Sequence, residues 1–422
     1  MTPTAAQVAI VKSTAPIIKE HGEHVTQVFY HNLLRDHPAL NNYFSVRNQH
    51  TGAQQSALAA AVFAYATYID NLAVLSSAVE KIAQKHASLF VQPEHYPIVG
   101  EYLIGALGEV LGDALTADVK DAWIAAYNQL AEVFIGAEKG LYEAAGEWQT
   151  WRPFKITQKV AETESITNFY LKPSDGLSIP TFVPGQYVSV QVTVPKLNGL
   201  LQSRQFSLSE NPVAGMQGYR ITVKKENFGD IYSEADMMSG KSPGLISGIM
   251  HDSLQVGDEI HLSPPYGVFR LAENSSGSQS EAPVVLISAG VGATPLLPML
   301  EHILESPDST RPVIWVHGAR NSKAICYGQY VRDLSKKHEN LTRCIFVKDV
   351  VEGESKGEDY DETGRLNVDT LEGTNTLRLQ DITSQYYICG PEAFMKEMQQ
   401  SLKQKGVGED RIHLELFRVG AL

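Results

Sequence analysis

The first third of the chain has the hydrophobic spacing of α-helices. Up to about residue 146, apolar residues recur three and four positions apart, and Val119 and Trp123 are one such pair. This is the period of a helix with one buried face. Thr4 and Gln7 have the spacing of a capping box, which favours a helix start at that point. The pattern predicts an all-α domain over residues 1–146.

The pattern changes twice further along the chain. Hydrophobic runs within 151–272 are short and β-rich, as at 154–157, and turn-forming pairs separate them. That texture predicts an antiparallel β-barrel or sandwich. After a polar stretch at 273–281, which is typical of a loop or linker, strand-like runs alternate with turns and apolar helices. This alternation predicts a doubly wound parallel α/β domain over residues 282–422.

Composition narrows the class of protein. The 422 residues are enough for about three domains. A formal net charge of −13 provides no basic field to gather nucleic acid or anionic lipid. Three cysteines without a framework spacing fit a reducing compartment. The longest apolar stretch, 58–69, is too short to cross a bilayer, so we expect a cytoplasmic protein with no integral membrane segment and no nucleic-acid partner.

One histidine lies within the apolar stripe of a predicted helix over 75–90. Val79, Ile82, His86 and Leu89 are spaced by three, four and three, which places His86 on the buried face. A core histidine satisfied by a local hydrogen bond is the simplest interpretation. An axial ligand to haem iron is the alternative that carries chemistry.

Polar residues upstream favour the ligand interpretation. Gln54 and Leu58 are four apart and share a helical face, and Tyr30 lies on an earlier helix. A ligand pocket needs a few placed polar groups among apolar ones, which these three residues could supply. Taken singly, Tyr30 and Gln54 would more often be structural or surface residues.

The N-terminal segments resemble those of flavohaemoglobins, in which a globin is fused to a flavin reductase. The matching segments are 28–30 (VFY), 43–44 (YF) with 48–49 (NQ), 81–86 (KIAQKH), 92–96 (QPEHY) and 132–142. The resemblance implies that His86 is the proximal iron ligand and that Phe44 packs on the haem face. It implies that Tyr30 and Gln54 hydrogen-bond bound dioxygen, with Leu58 lining the pocket.

The resemblance also implies partners for the other nitrogen of His86, namely Tyr96 and Glu138. A carboxylate that accepts this N–H makes the imidazole a stronger electron donor, which favours oxygen activation over storage. Glu138 could instead be a solvated residue, but it lies four after Phe134 on the same helical side. Lys85 stands where the family places a residue that tunes redox potential; an exposed lysine is the alternative.

Two segments of the predicted barrel supply what a flavin needs, which is aromatic faces and cationic groups. They are 184–187 (PGQY) and 204–207 (RQFS), and they resemble the paired signature of the ferredoxin-reductase superfamily. Ordinary strand residues are the alternative. The resemblance implies that FAD is bound by Tyr187, Arg204, Gln205, Phe206 and Ser207, with Arg204 on the pyrophosphate. Gly244 and Ser247 have the Gly-x-x-Ser spacing expected for a phosphate-binding helix start.

A glycine-rich segment lies between a predicted strand and a predicted helix. It departs from the full G-x-G-x-x-G pattern, because proline occupies the last position. After the flavin signature it resembles the nicotinamide loop of the same superfamily, together with a Cys-Gly-Pro run. The implied NAD(P)-binding residues are Gly290, Val291, Gly292, Ala293, Thr294, Pro295, Cys389, Gly390 and Pro391. A buried strand cysteine is the alternative for Cys389.

The C-terminal segment resembles the one whose aromatic residue covers the flavin. Glu415 and Phe417 are the implied FAD-binding residues. Leu416 replaces a more usual cysteine, and Arg418 stands where bacterial relatives carry glycine. Arg320 could meet the 2′-phosphate of NADPH, or it could be a solvated loop arginine.

The resemblance covers the whole chain and implies a nitric oxide dioxygenase. NAD(P)H would reduce FAD, FAD would reduce haem b, and nitric oxide and O₂ would become nitrate in a monomeric protein. Two alternatives remain open at this point. The chain could be a diaphorase that passes electrons to quinone, ferric iron or dye, or its globin could serve as a sensor or store of oxygen or nitric oxide.

Overall fold

The computed structural model describes residues 2–226, 245–272, 281–306, 310–373 and 376–417. Most of the predicted linker at 273–281 lies outside the described residues. No described helix is both long enough and apolar enough to cross a membrane.

The N-terminal part is helical throughout, as predicted. Its helices are α1 (Ala5–Asp36), α2 (Val46–His50), α3 (Ala53–Tyr68), α4 (Ser76–Ser88), α5 (His95–Leu111) and α6 (Ala117–Ala144). The capping box forms at the start of α1, where Gln7 N donates to Thr4 Oγ1 over 3.3 Å and Thr4 N donates to Gln7 Oε1 over 2.8 Å. These reciprocal bonds satisfy two of the amide groups that a helix start leaves unpaired.

The helical core forms where α3, α5 and α6 pack against α1. Phe29 and Leu33 of α1 and Trp123 of α6 are almost fully buried there. Helices α5 and α6 approach closely because Gly100 has no side chain, and the ring of Tyr127 occupies the space that a Cβ would take.

The middle part is an antiparallel barrel. Its strands are β1 (Arg152–Thr163), β2 (Ile166–Pro173), β3 (Tyr187–Val194), β4 (Leu200–Ser207), β5 (Tyr219–Lys224) and β6 (Glu259–Leu262). They pair in the order β4-β3-β6-β1-β2-β5. A bridge between Leu208 and Ile221 joins the two ends of that order. The sheet therefore closes on itself, and its interior is filled by residues such as Phe154, Phe169 and Val190.

The C-terminal part has a parallel sheet covered on both faces. Its strands are β7 (Val284–Ala289), β8 (Val313–Ala319), β9 (Leu341–Val347), β10 (Glu362–Thr363), β11 (Gln385–Cys389) and β12 (Ile412–Glu415), in the order β10-β9-β8-β7-β11-β12. The accompanying helices are Leu296–Glu305, Gly328–Lys337, Val368–Gly373 and Glu392–Gln404. One hydrophobic cluster lies on each face of the sheet. The predicted doubly wound fold is confirmed, and the strand order reverses between β7 and β11, where such sheets bind ligands.

We expect Gly100→Ala to lower the free energy of unfolding by about 1–3 kcal/mol, because the added methyl overlaps the ring of Tyr127. Gly105→Ala is a matched control in the same helix, since its Cβ meets no atom within 4 Å. That change should raise stability by about 0.5–1 kcal/mol through helix propensity. Thermal unfolding measures both, and shifts in the same direction would contradict the packing described for α5 and α6.

Candidate functional site

Three helices bring together the proximal residues predicted from the sequence. His86 of α4 has its Nδ1 2.8 Å from Glu138 Oε1 of α6 and 3.2 Å from the hydroxyl of Tyr96 on α5. Tyr96 donates to the same carboxylate oxygen over 2.5 Å. Glu138 is only 2% exposed, so the inward orientation is the one that the structure has. Both contacts of His86 use Nδ1, which leaves Nε2 as the nitrogen able to bind a metal.

Two tyrosines that the sequence pattern does not single out support this group, together with Phe134. Tyr127 donates its hydroxyl to the carbonyl oxygen of Tyr96 over 2.6 Å, and Tyr142 donates to Val91 O over 2.6 Å. The ring of Phe134 lies 5.6 Å from that of His86, centroid to centroid. Burial, together with the negative charge of Glu138, raises the pKa of the Tyr96 hydroxyl, which therefore stays protonated as a donor.

The predicted distal residues also meet. The Tyr30 ring lies 5.2 Å from that of Phe44, edge to face, and the side chain of Gln54 acts to lower the pKa of the Tyr30 hydroxyl. Leu58 packs against the same core. Burial raises the pKa of Tyr30, so its hydroxyl remains a hydrogen-bond donor at neutral pH. An imidazole with a spare nitrogen and a buried phenol among apolar groups is a donor set that fits haem.

A barrel strand holds the segment that carries Phe44. Gln202 of β4 is 1% exposed, and its Oε1 accepts from Val46 N over 3.0 Å. Its Nε2 donates to Asn41 O over 3.0 Å and to Phe44 O over 3.2 Å. Nothing in the sequence singles out Gln202, because a glutamine in a strand is ordinary. Its importance arises only from a contact between two domains.

The flavin signature begins two residues later on the same strand. Arg204 donates to Ser45 Oγ over 2.8 Å and to Ser203 O over 2.7 Å. Burial and the like charge of Arg47 lower the pKa of Arg204 to about 10. A half-buried guanidinium beside a like charge is suited to an anionic pyrophosphate, which would relieve both effects.

The remaining signature residues continue the junction with the globin. Gln205 Nε2 donates to Ser189 Oγ over 2.9 Å, which in turn donates to Ser88 Oγ at the end of α4 over 2.8 Å. Burial raises the pKa of the Tyr187 hydroxyl, and the side chain of Ser88 opposes that rise. Ser207 is buried, and Phe206 packs against the barrel core.

A buried polar atom near this junction fits a bound flavin. Tyr266 pairs with Tyr187 through its backbone, and its own hydroxyl is buried without a hydrogen-bond partner among the described residues. Buried hydroxyl groups are normally paired, so this one is available to a ligand.

The predicted phosphate-binding pair is only partly described. Gly244 lies outside the described residues. Ser247 is buried, and its Oγ accepts from Glu226 N over 3.4 Å.

Burial shifts the pKa values of two charged side chains, one on α4 and one on β12. Burial and the charge of Arg204 lower the pKa of Lys85, which is half-buried, to about 8. Burial raises the pKa of Glu415 to about 8, and the charge of Lys81 opposes that rise. Phe417 is 49% exposed.

The glycine-rich turn and the Cys-Gly-Pro run meet at the reversal of strand order. Gly290 has a φ of 57°, and a Cβ on Gly292 would overlap the carbonyl oxygen of Cys389. The backbone of the turn at Gly292 therefore lies directly against the backbone of Cys389 and Gly390. A close backbone approach of this kind is suited to a dinucleotide. The Cys389 thiol is fully buried, which raises its pKa well above the usual range. Arg320 has a side chain that is 82% exposed and lies 3.6 Å from Asp349, as a solvated arginine would.

Comparisons with known proteins agree with this arrangement. Residues 27–134 match the Globin family, and residues 286–400 match the oxidoreductase NAD-binding domain family. The flavohemoprotein of Bordetella pertussis is 43% identical over 98% of both chains. A solved flavohemoglobin from Malassezia yamatoensis, with bound FAD and heme, covers 99% of this chain and all of its own, with a TM-score of 0.81 and 27% identity.

A second solved structure matches the reductase part. The flavohem-like FAD/NAD-binding domain of nitric oxide dioxygenase from Vibrio cholerae is 30% identical, with a TM-score of 0.51, and it covers 63% of this chain and 97% of its own. The fold and site therefore define a globin joined to an FAD- and NAD-binding reductase of the ferredoxin-reductase type. The chain belongs to the flavohaemoprotein family.

We expect Glu138→Gln to weaken electron donation from His86, because the neutral amide no longer draws the Nδ1 proton. In the reduced haem protein the iron–histidine stretching vibration should move to lower frequency, and haem-dependent activity should fall about 10–100-fold. Glu143→Gln is a matched control on the same helix, since its carboxylate is exposed and 3.8 Å from Lys139. An unchanged vibration in Glu138→Gln would contradict the assigned role.

Because the Glu415 carboxyl keeps its proton in the folded protein, we expect the free energy of unfolding to fall as pH rises. Its pKa is raised from 4.5 to about 8, so between those values the folded protein keeps a proton that the unfolded chain releases. Urea unfolding should therefore show a loss of stability between about pH 5 and pH 8 that is smaller in Glu415→Gln. Glu409→Gln, whose exposed carboxylate pairs with Lys403, should keep the wild-type slope. Equal slopes in all three proteins would contradict a Glu415 carboxyl that stays protonated in the folded protein.

Proposed function

We propose that this protein is a nitric oxide dioxygenase, a monomer of the cytoplasm that uses haem b, FAD and NAD(P)H to convert nitric oxide and O₂ to nitrate. The carrying observation is a histidine whose Nδ1 faces a buried carboxylate, in one chain with a buried tyrosine and a flavin signature. Nitric oxide and O₂ together hold the three oxygens of nitrate, and one electron completes the charge balance.

The proposed contacts follow the sequence motifs. His86 would bind iron through Nε2, with Phe44, Leu58 and Lys85 around the haem. The FAD would be held by Tyr187, Arg204, Gln205, Phe206, Ser207, Ser247, Glu415 and Phe417. NAD(P)H would lie on the residues of 290–295 and 389–391. When bound, these groups supply the redox chemistry, and the protein supplies placement and electrostatics.

The proximal side of the globin favours turnover over storage, and the distal side provides a hydrogen-bond donor for a bound ligand. Glu138 accepts from His86 Nδ1, so the imidazole is held as a strong electron donor. On the distal side Tyr30 keeps its proton, because burial raises its pKa, and it can donate a hydrogen bond to a polar ligand next to Gln54. The proximal arrangement favours oxygen activation over release of unchanged oxygen, whereas the distal hydrogen bond would hold a bound ligand in either case.

Substitution of the proximal histidine tests the proposal against a diaphorase. We expect His86→Ala to lose nitrate production from nitric oxide while NADH-driven reduction of an external dye persists, because the flavin motifs lie on other domains. Nitrate and dye reduction are measured on the same preparation. His24→Ala, an exposed histidine of α1, is the matched control and should keep both activities. Continued nitrate production by His86→Ala would contradict the proposal.

A further inference from the structure

Tyr327 belongs to the α/β domain but ends inside the wall of the barrel. It precedes the helix Gly328–Lys337, is 2% exposed, and has a φ of 60°. Ile325 and Cys326 before it are buried in the same cluster as Ile166 of β2. A bulky residue keeps a positive φ only where its surroundings hold it there. Residues 325–327 of the α/β domain therefore form a fixed contact with the barrel.

Both the hydroxyl and the amide of Tyr327 bind the barrel. The hydroxyl donates to Thr222 Oγ1 over 2.7 Å, and the backbone N–H donates to Glu162 Oε1 over 2.8 Å. Within the barrel, Thr222 Oγ1 donates to Asn168 Oδ1 over 2.6 Å, and Asn168 Nδ2 donates to Glu162 Oε2 over 3.0 Å. The four residues thus form a closed ring of hydrogen bonds across the domain boundary.

The ring is buried, which makes its geometry exacting. Tyr327, Thr222 and Asn168 are each no more than 5% exposed. Removing one member leaves its partner unsatisfied where water does not reach, and such a loss costs more than the bond itself contributes. Apolar contacts around the ring tolerate small sliding movements, whereas these bonds specify one docked position.

The ring of hydrogen bonds lies next to both the flavin motif and the turn Gly290–Ala293. Leu208, which follows the flavin-motif residue Ser207, bridges Ile221, which precedes Thr222. Ser209 Oγ is 2.8 Å from Thr222 Oγ1. The same strand, β5, contacts the nicotinamide turn Gly290–Ala293. Strand β5, which accepts the hydrogen bond of the Tyr327 hydroxyl, therefore contacts both the end of the flavin motif and the turn Gly290–Ala293.

We propose that Tyr327 is a positioning residue for hydride transfer, because its two hydrogen bonds to the barrel set the distance between the turn Gly290–Ala293 and the flavin motif ending at Ser207. Hydride transfer carries two electrons and a proton from nicotinamide to flavin, and a displacement of about 1 Å can cost about 100-fold in rate. The proposal rests only on the reductase half of the proposed function. A failure of nitrate production alone would leave it intact.

Removal of the hydroxyl tests the proposal in the FAD-loaded full chain. We expect Tyr327→Phe to slow anaerobic flavin reduction by saturating NADH at least about tenfold, and to enlarge the isotope effect with C4-deuterated NADH. The Kd for NAD⁺ should stay within about twofold of wild type, because the turn itself is unchanged. Tyr386→Phe is the matched control, since this fully buried hydroxyl donates only within the α/β domain, to Leu377 O over 3.0 Å.

Amide hydrogen exchange gives a readout that is independent of activity. Exchange over residues 325–331 should accelerate in Tyr327→Phe and in Thr222→Val, because both open the ring. It should not change in Tyr386→Phe, and Thr222→Ser, which keeps the hydroxyl, should restore both exchange and flavin reduction. Equal slowing of flavin reduction in Tyr327→Phe and Tyr386→Phe, or unaltered exchange over 325–331, would overturn the proposal. If Tyr327→Phe fails to retain FAD, flavin reduction is compared in the two Thr222 variants. Slower reduction in Thr222→Val than in Thr222→Ser supports the proposal, and equal rates contradict it.

Discussion

Strand β4 is the constraint on which the arrangement of the globin relative to the barrel depends. Gln202 binds the backbone on both sides of Phe44, and Arg204, two residues on, reaches Ser45 in the same corner. The segment beside the distal pocket and the residues proposed to bind flavin are therefore parts of one hydrogen-bonded unit. A shift of that strand would disturb both sites together, because side chains two apart lie on the same face of a strand.

Buried polar groups recur at each junction. Helix α4, which carries His86, meets the barrel at two polar residues. Gln84 Oε1 accepts from Gly267 N over 2.8 Å, and Ser88 Oγ accepts from Ser189 Oγ over 2.8 Å. The barrel meets the α/β domain through the ring around Tyr327. Such groups add little net stability when paired and cost much when unpaired. They determine the relative positions of the domains more than they determine how tightly the domains associate, and electron transfer depends on position.

Much of the fold and of the site followed from local patterns. Helical spacing predicted a buried face for His86, and the spacing from Phe134 indicated that Glu138 points inward. In the structure the two side chains meet, and Glu138 is buried, but the His86 side chain is 33% exposed. The Arg-Gln-Phe-Ser run and the glycine-rich turn were recognisable because backbone and side chains within a few residues create each feature. Gln202, Gln84 and Tyr327 gave no comparable signal, since their partners are on another domain, 105 to 183 residues away.

The sequence by itself determined three domains in order, their classes, and the residue types able to hold haem, flavin and nicotinamide. Periodicity and turn chemistry act over a few residues, so they can be recognised in one dimension. Only the tertiary structure decided which of these residues meet, that the Arg320 side chain is largely exposed, and that Cys389 is both buried and beside the turn Gly290–Ala293. The physical reason is that burial and the pairing of distant polar groups are properties of the packed chain as a whole.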